Sequence, residues 1–183
     1  MGKVIAGMTM SLDGFIDAEK VNPDFGKLLE THSFKEMIEN TGAVIMGRHV
    51  YEMADPFMWA NDGYEFQTPI FVLTHTPPEK YPQGNDKLSF TFVTDGIESV
   101  VSHAKSAAGE KDVQIIGGAE IIQQCLNAML VDELQVDIMP ILLGGGLRLF
   151  ENLDIDRIRL ERTKVEETTP VRTSIIFKVS KYE

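Results

Sequence analysis

Residues 115–122 read Ile-Ile-Gly-Gly-Ala-Glu-Ile-Ile: a short apolar run ends in two glycines, and an apolar-periodic helix begins at once. Glycines remove the Cβ atoms that block close approach. The free N–H groups and positive dipole end of a helix attract an anion. Such a turn is also the ordinary tight connection between a strand and a helix, so it does not settle a phosphate site alone. Two further strand ends carry similar chemistry. Val44-Ile45-Met46 runs into Gly47-Arg48-His49, and Pro69 to Leu73 runs into Thr74-His75-Thr76. Taken singly, Arg48 reads as a surface ion pair and His75 as an ordinary loop histidine. Jointly, a guanidinium, an imidazole, several hydroxyls and two sets of bare N–H donors suit a ligand with more than one phosphate. In an open parallel sheet, ligands bind at the carboxyl ends of strands, where all three sets fall. A dinucleotide is the ligand this pattern favours.

Other chemistries find no residues. The four histidines, His32, His49, His75 and His103, show no ligand spacing, and the single Cys125 cannot form a zinc cluster, so no metal is expected. There is no Gly-x-Ser-x-Gly elbow and no Gly-x-x-x-x-Gly-Lys loop. Hydrolysis and phosphoryl transfer therefore lack their machinery, and a bound redox cofactor would supply the reactivity.

The elements that must position these residues alternate. Val4 to Met10, Ala43 to Met46, Pro69 to Leu73, Phe90 to Val93 and Val113 to Ile116 are of strand length. Phe25 to Asn40 carries an apolar stripe at helical spacing, Val50 to Ala54 is a short helix closed by Pro56, and Ile97 to Ala107 is a helix with Gly109 as its C-cap. Ile121 to Leu130 continues the pattern. From Glu133 the character changes: Leu134 to Met139 alternates, and Arg157 to Glu166 and Thr173 to Lys181 form a hairpin turning at Thr169-Pro170. The whole chain, 1–183, reads as one α/β domain. A mostly parallel central sheet is flanked by helices and carries a C-terminal antiparallel hairpin. Gly144-Gly145-Gly146 follows a strand with no helix pattern behind it and reads as a bulge or bend.

Bulk properties bound the partners. With 17 basic against 28 acidic residues the net charge is −11, which disfavours nucleic acid or an anionic membrane. No apolar stretch approaches the ~20 residues of a membrane span, and the N-terminus lacks a signal-peptide layout, so the expected location is the cytoplasm. Cys125, within a helix pattern, reads as a small buried hydrophobe.

Met10-Ser11-Leu12-Asp13-Gly14-Phe15-Ile16, Met46-Gly47-Arg48-His49-Val50-Tyr51-Glu52 and Ile116-Gly117-Gly118-Ala119-Glu120 resemble, in order and spacing, the dihydrofolate reductase superfamily. Leu130-Val131-Asp132-Glu133-Leu134, Pro140 and Leu143-Gly144-Gly145-Gly146 bring the likeness closer to the reductase domain of the bifunctional riboflavin-biosynthesis deaminase/reductase and its stand-alone relatives. The resemblance spans Lys3 to Lys181. It implies a dihydrofolate reductase-like fold, NADPH as hydride donor and a homodimer, with the Glu133–Gly146 region as its contact. By the family pattern Thr9 and Ile16 border the nicotinamide, and the loop after Ser11 is a lid. Arg48, Thr74 and His75 hold the adenosine side with its 2′-phosphate. Gly47, His49, Val50, Gly117 and Gly118 cradle the pyrophosphate, with a cis peptide between the last two, and Ala119, Glu120 and Ile121 line the adjacent helix entrance.

The chain also departs from the pattern. Val50 stands where folate reductases have a threonine. Their carboxylate in the first helix aligns without a gap to Thr31, which leaves Asp24, Glu30 and Asp13 as candidate proton donors. Trp59 is a candidate floor of the substrate pocket by ring stacking. The expected activity is NADPH-dependent hydride transfer to a small heterocycle, with 5-amino-6-(5-phosphoribosylamino)uracil as the leading substrate. The alternatives are a dihydrofolate reductase and a non-catalytic nucleotide-binding protein.

Overall fold

In a computed structural model, which describes residues 2–53, 63–82 and 84–182, ten strands and five helices follow the alternation of the sequence. The strands are β1 Val4–Ser11, β2 Phe15–Ile16, β3 Thr41–Gly47, β4 Ile70–Leu73, β5 Phe90–Val93, β6 Asp112–Ile115, β7 Glu133–Met139, β8 Leu147–Arg148, β9 Ile158–Thr169 and β10 Arg172–Lys181. The helices are α1 Phe25–Glu30, α2 His32–Asn40, α3 Arg48–Met53, α4 Ile97–Ala108 and α5 Ala119–Asn127. Eight strands make one sheet in the order β5-β4-β3-β6-β1-β7-β10-β9, while β2 and β8 pair separately. Pairs from β5 to β7 are parallel, and β10 joins β7 and β9 antiparallel. The fold is the mostly parallel dihydrofolate reductase-like sheet with a C-terminal hairpin that the sequence implies.

Three helix boundaries differ from the periodicity. Phe25 to Asn40 is two helices, because Thr31 breaks the run at φ −68°, ψ 149°. Its Oγ1 accepts from the Phe34 N–H at 3.3 Å and donates to the Leu28 carbonyl at 2.7 Å, so a side chain caps the second helix where the stripe alone sees continuity. The helices α3 and α5 begin at Arg48 and Ala119, directly after the glycines and earlier than their apolar stripes suggest.

The two faces of the sheet are unequal. On one, Val4, Ala6, Ile45, Val113, Ile115, Leu134 and Val136 meet α4 and α5 in the larger core. Each fully buried aliphatic chain there contributes about 1.5–3 kcal/mol. Cys125 belongs to this core, where burial pushes its thiol up to about 12, so it packs and does not react at neutral pH. On the other face Val44, Met46, Ile70 and Val72 pack with Tyr51, Phe66 and Leu88 over β3 and β4. Beyond β3, no core cluster among the described residues fills that face. No residue of α2 is buried, because the space beneath it is a cavity.

The segment after β1 is tied down in a way the sequence does not reveal. Phe15 and Ile16 pair with Arg148 and Leu147, and the Arg148 guanidinium lies 4.5 Å from the Phe15 ring centroid. The Asp13 carboxylate accepts N–H bonds from Leu143 at 3.1 Å and Gly144 at 2.8 Å and is also bonded by the Ser11 hydroxyl, which holds its carboxyl down at about 2. The glycine loop, with φ of +72° at Gly144 and +119° at Gly146, is thus a bend whose amides bind an internal anion.

Candidate active site

The strand ends β3 and β6 meet through their glycines. The Gly47 N–H donates to the Gly117 carbonyl at 2.8 Å, and a Cβ on Gly47 would stand 2.9 Å from Ile121 Cγ1. Gly117 has φ +121°, and a Cβ there would lie 2.8 Å from Met8 Cε. These positions exclude side chains so that β1, β3 and the start of α5 can close up. The Gly117–Gly118 peptide is cis. Gly118 is different: a Cβ there meets nothing nearer than Val50 Cγ2 at 3.9 Å, so its approach is open. The helix start that follows has N–H groups without intrahelical acceptors, as any helix does. The glycine rim therefore fits an anionic ligand on that open side.

Next to the rim, Arg48, Glu52, Thr74, Thr76, Glu79 and Phe92 are among the residues around a cavity of about 250 Å³. Arg48 Nε is bonded to the Glu52 carboxylate one turn on, with both side chains half exposed. A surface pair of this kind is worth little, so the guanidinium is easily diverted to a phosphate. The Thr74 hydroxyl closes its own turn, donating to the Thr76 carbonyl at 3.0 Å and accepting from the Thr76 N–H at 3.2 Å.

The larger cavity, about 540 Å³, lies between α1, α2 and the open sheet face. It reaches the glycine rim, since Met8, Ile115 and Ile116 line it. Its walls include Phe25 and Phe34, whose rings meet edge-on at 6.4 Å. Its floor is written by strand register. Thr9 is opposite Asp137, which is opposite Ser174, and Gly7 is opposite Gln135. Glu65, on its wall, has its carboxyl raised by desolvation.

At the rim of this floor lies Arg172, fully buried, with all five N–H donors spent. Nε and Nη2 grip Asp24 at 3.2 and 2.7 Å, Nη1 donates to Asp137 at 2.9 Å and Thr9 at 2.7 Å, and Nη2 also donates to Asn22 at 3.0 Å. Thr169 donates to Asp24 at 2.6 Å, and Ser174 to Asp137. The guanidinium holds the Asp24 carboxyl below the usual range against an opposing desolvation. Asp24 is an anchor for Arg172 and is poorly suited to release a proton.

Of the residues singled out in the sequence, Gly47, Val50, Gly117, Gly118, Ala119 and Ile121 come together at the rim. Arg48 and Thr74 share the small cavity, and Thr9 lies on the floor of the large one. His49, His75 and Glu120 are exposed, and His75 is outside the lining of both cavities. Ile16 is engaged in the β2–β8 pair, and Glu30 is exposed and outside the cavity lining. Trp59 lies outside the described residues. Asn22, Asp137, Arg172, Ser174 and Gln114 were not foreseen. The one available signal was a charge within each of two apolar strands, Asp137 and Arg172, which reads equally as a solvated face. Among the described residues no His, Cys, Asp and Glu cluster could hold a metal ion, and no helix is long and apolar enough to cross a membrane.

Comparison with known proteins gives this geometry a setting. Residues 2–173 match the family model of the RibD C-terminal domain. The protein YyaP of Bacillus subtilis (strain 168) is 26% identical over 152 residues, covering 81% of this chain and 80% of its own. A putative riboflavin biosynthesis protein from Shewanella sp. PV-4 superposes with a TM-score of 0.73 at 26% identity, over 97% of this chain and 99% of its own. Dihydrofolate reductase from Enterococcus faecalis, solved with NADP(H), shares the fold with a TM-score of 0.61 at 18% identity, over 100% of this chain and 98% of its own.

Proposed function

The chain belongs to the RibD C-terminal domain family, and on that premise we propose that it is an NADPH-dependent reductase of a small heterocyclic compound. The observation that carries this reading is the pair of strand-end glycines, Gly47 and Gly117, packed into a rim that opens on one side at Gly118 and abuts a cavity on the sheet face. Bound there, the nicotinamide would supply a hydride. The open Gly118 side and the starts of α3 and α5, with His49, Val50, Ala119, Glu120 and Ile121, would receive the pyrophosphate. Arg48 would exchange Glu52 for the 2′-phosphate, with Thr74 beside it and His75 within reach of the adenosine end. Thr9, oriented by Arg172, would position the nicotinamide edge, and Ile16 would hold the lid strand beside it.

Protonation is the step for which Asp24 and Glu30 were candidates. Asp24 is committed to Arg172 as an anion, and Glu30 lies away from the cavity. In this proposal the proton comes from water entering the open cavity, and Asp24 fixes the floor. That arrangement weighs against a dihydrofolate reductase that protonates its ring through a first-helix carboxyl.

A homodimer is also part of the proposal. The strand β7 is paired on both sides, by β1 and β10, so the Glu133–Gly146 region offers no free edge of the main sheet. The twelve-residue β9 does, with Leu160 and Val165 exposed on it, and natural proteins rarely leave so long an edge uncovered.

Parallel fluorescence titrations with NADPH and NADH test the cofactor. NADPH is expected to bind the more tightly, and Arg48→Ala to weaken it about 10- to 100-fold while changing NADH little. Failure to bind either cofactor sinks the reductase reading. Tight NADPH binding with no oxidation across a screen of heterocyclic acceptors would favour the nucleotide-binding alternative.

A further inference from the structure

The strand β9 ends the main sheet, so its outer side has no neighbour among the described residues. Its register against β10 is continuous from Lys181–Ile158 to Phe177–Arg162, and again from Ile176–Lys164 to Thr173–Glu167. Between and beyond these runs the register shifts by one residue, at Thr163 and at Thr168. The register also sorts the side chains by face. Lys164 and Glu166 are opposite Ile176 and Ser174, and all four line the 540 Å³ cavity. Arg162, Val165 and Glu167 are opposite Phe177, Ile175 and Thr173 and stand on the other face. Val165 is 53% exposed there. Arg162 and Glu167 are exposed and form no ion pair among the described residues, while Lys164 is bonded to Glu166 at 2.7 Å.

Two identical strands pair antiparallel only about a two-fold axis, and the axis must pass through a residue so that each side chain meets one on its own face. Centred on Val165, the edge complements itself. Val165 meets the partner's Val165, and on the cavity face Lys164 meets the partner's Glu166. On the other face Arg162, one step past the extra residue Thr163, meets the partner's Glu167. Opposite charges directly across a strand pair stabilise it, and like charges oppose it. Centred on Lys164, Glu166, Arg162 or Glu167, two like charges would meet on the axis. Centred on Leu160, Arg162 would face Ile158. A charge order that matches its own reverse about a neutral centre selects a second copy of this chain as the occupant of the edge.

We propose that β9 pairs with β9 of a second copy, antiparallel and centred on Val165, and that the partner's Lys164 and Glu166 complete the wall of the cavity. The inference rests on the homodimer reading and gives it a register and a consequence for the site. Lys164 and Glu166 already line the cavity, so the partner's pair stands beside them and makes one row of alternating charge across the axis. The cavity wall formed by β9 is then incomplete in a single chain.

Sedimentation velocity of the full chain over a dilution series tests this. The unaltered chain is expected to be a dimer. Lys164→Glu and Glu166→Lys should each weaken self-association on the order of 100-fold, because like charges then meet twice across the axis, and the loss should narrow in high salt. Mixed in equal amounts, the two variants should form a heterodimer close to the original affinity, since each reversed residue then faces an opposite charge. Neither variant keeps the Lys164–Glu166 pair within its own chain, so recovery on mixing comes only from contacts between chains. Arg159→Glu, which lies past the end of the partner strand in this register, should leave the dimer unchanged. All three substitutions are on the surface, and melting temperatures should stay within about 2 °C. A dimer that survives both reversals, a mixture that fails to associate, or dissociation by Arg159→Glu overturns the register and leaves the homodimer reading standing. A monomer at every concentration overturns both.

Discussion

Arg172→Met is expected to destabilise the protein by about 3–5 kcal/mol, a fall of roughly 10 °C in melting temperature. The methionine fills much of the volume, so the loss is electrostatic. Asp24 and Asp137 would be left without the guanidinium that bridges them, and Thr9 and Asn22 would each lose a donor. Breaking a buried ion pair on one side costs far more than the intact pair contributes over an apolar replacement. The triple variant Arg172→Met, Asp24→Asn, Asp137→Asn is therefore expected to regain most of the stability. Thermal melts of the two variants check this; equal losses in both would show that shape, and not charge, holds the floor.

The acid limb of the same melts carries a sign. Asp24 has a folded-state pKa below its ordinary value, with the Arg172 bonds as the largest cause. Its contribution is therefore complete above the ordinary aspartate pKa of about 4 and is lost as pH falls below that towards the folded-state value. In Arg172→Met the sign reverses: a buried carboxyl without its cation prefers the proton, so acidification should relieve part of the damage. A variant that loses stability on acidification in parallel with the wild type would rule out this account of Asp24.

Gly7→Val is expected to abolish acceptor binding, by at least about 100-fold, while the fold gains slightly in stability. Gly7 lies inside β1, paired with Gln135 of β7. Glycine within a strand costs about 0.5–1 kcal/mol of backbone entropy, and a β-branched residue suits the pleated surface. A Cβ there has 4.0 Å of clearance, so valine meets no strain at its first carbon. Its methyl groups then stand on the flat floor beside Gln114, in the space a planar ring needs. NADPH titration of the same variant reports on the glycine rim separately. Undiminished acceptor binding in a folded Gly7→Val would place the ring elsewhere in the cavity.

The alternation of strands and helices was legible because burial imposes it locally. Core strands such as Val44 to Met46 are apolar throughout, and α4 shows its stripe and its Gly109 cap at φ +62°. The glycine rim was legible for a similar reason. Gly47 and Gly117 are needed where strands from distant parts of the chain crowd together, and glycine beside a strand end is visible in one dimension. Thr31 was not legible as a helix break, because its cap depends on a hydrogen bond that competes with an unbroken apolar stripe.

Most of the sheet-face cavity lay beyond the sequence, Thr9 apart. Asp24, Asp137 and Arg172 are separated by up to 148 residues, and only the β7–β10 register and the turn into α1 bring them into one network. Asp24 by itself looked like a capping carboxylate or a proton donor; Arg172 makes it an anchor. Gln114 has no meaning in a strand sequence until the sheet shows that one face is packed by α4 and α5 and the other is left open under α2. Local pattern thus determined which elements form and where glycine must stand. The pairing of distant charges, and which face of the sheet is left open, are properties of the assembled sheet, because they depend on neighbours that only tertiary structure supplies.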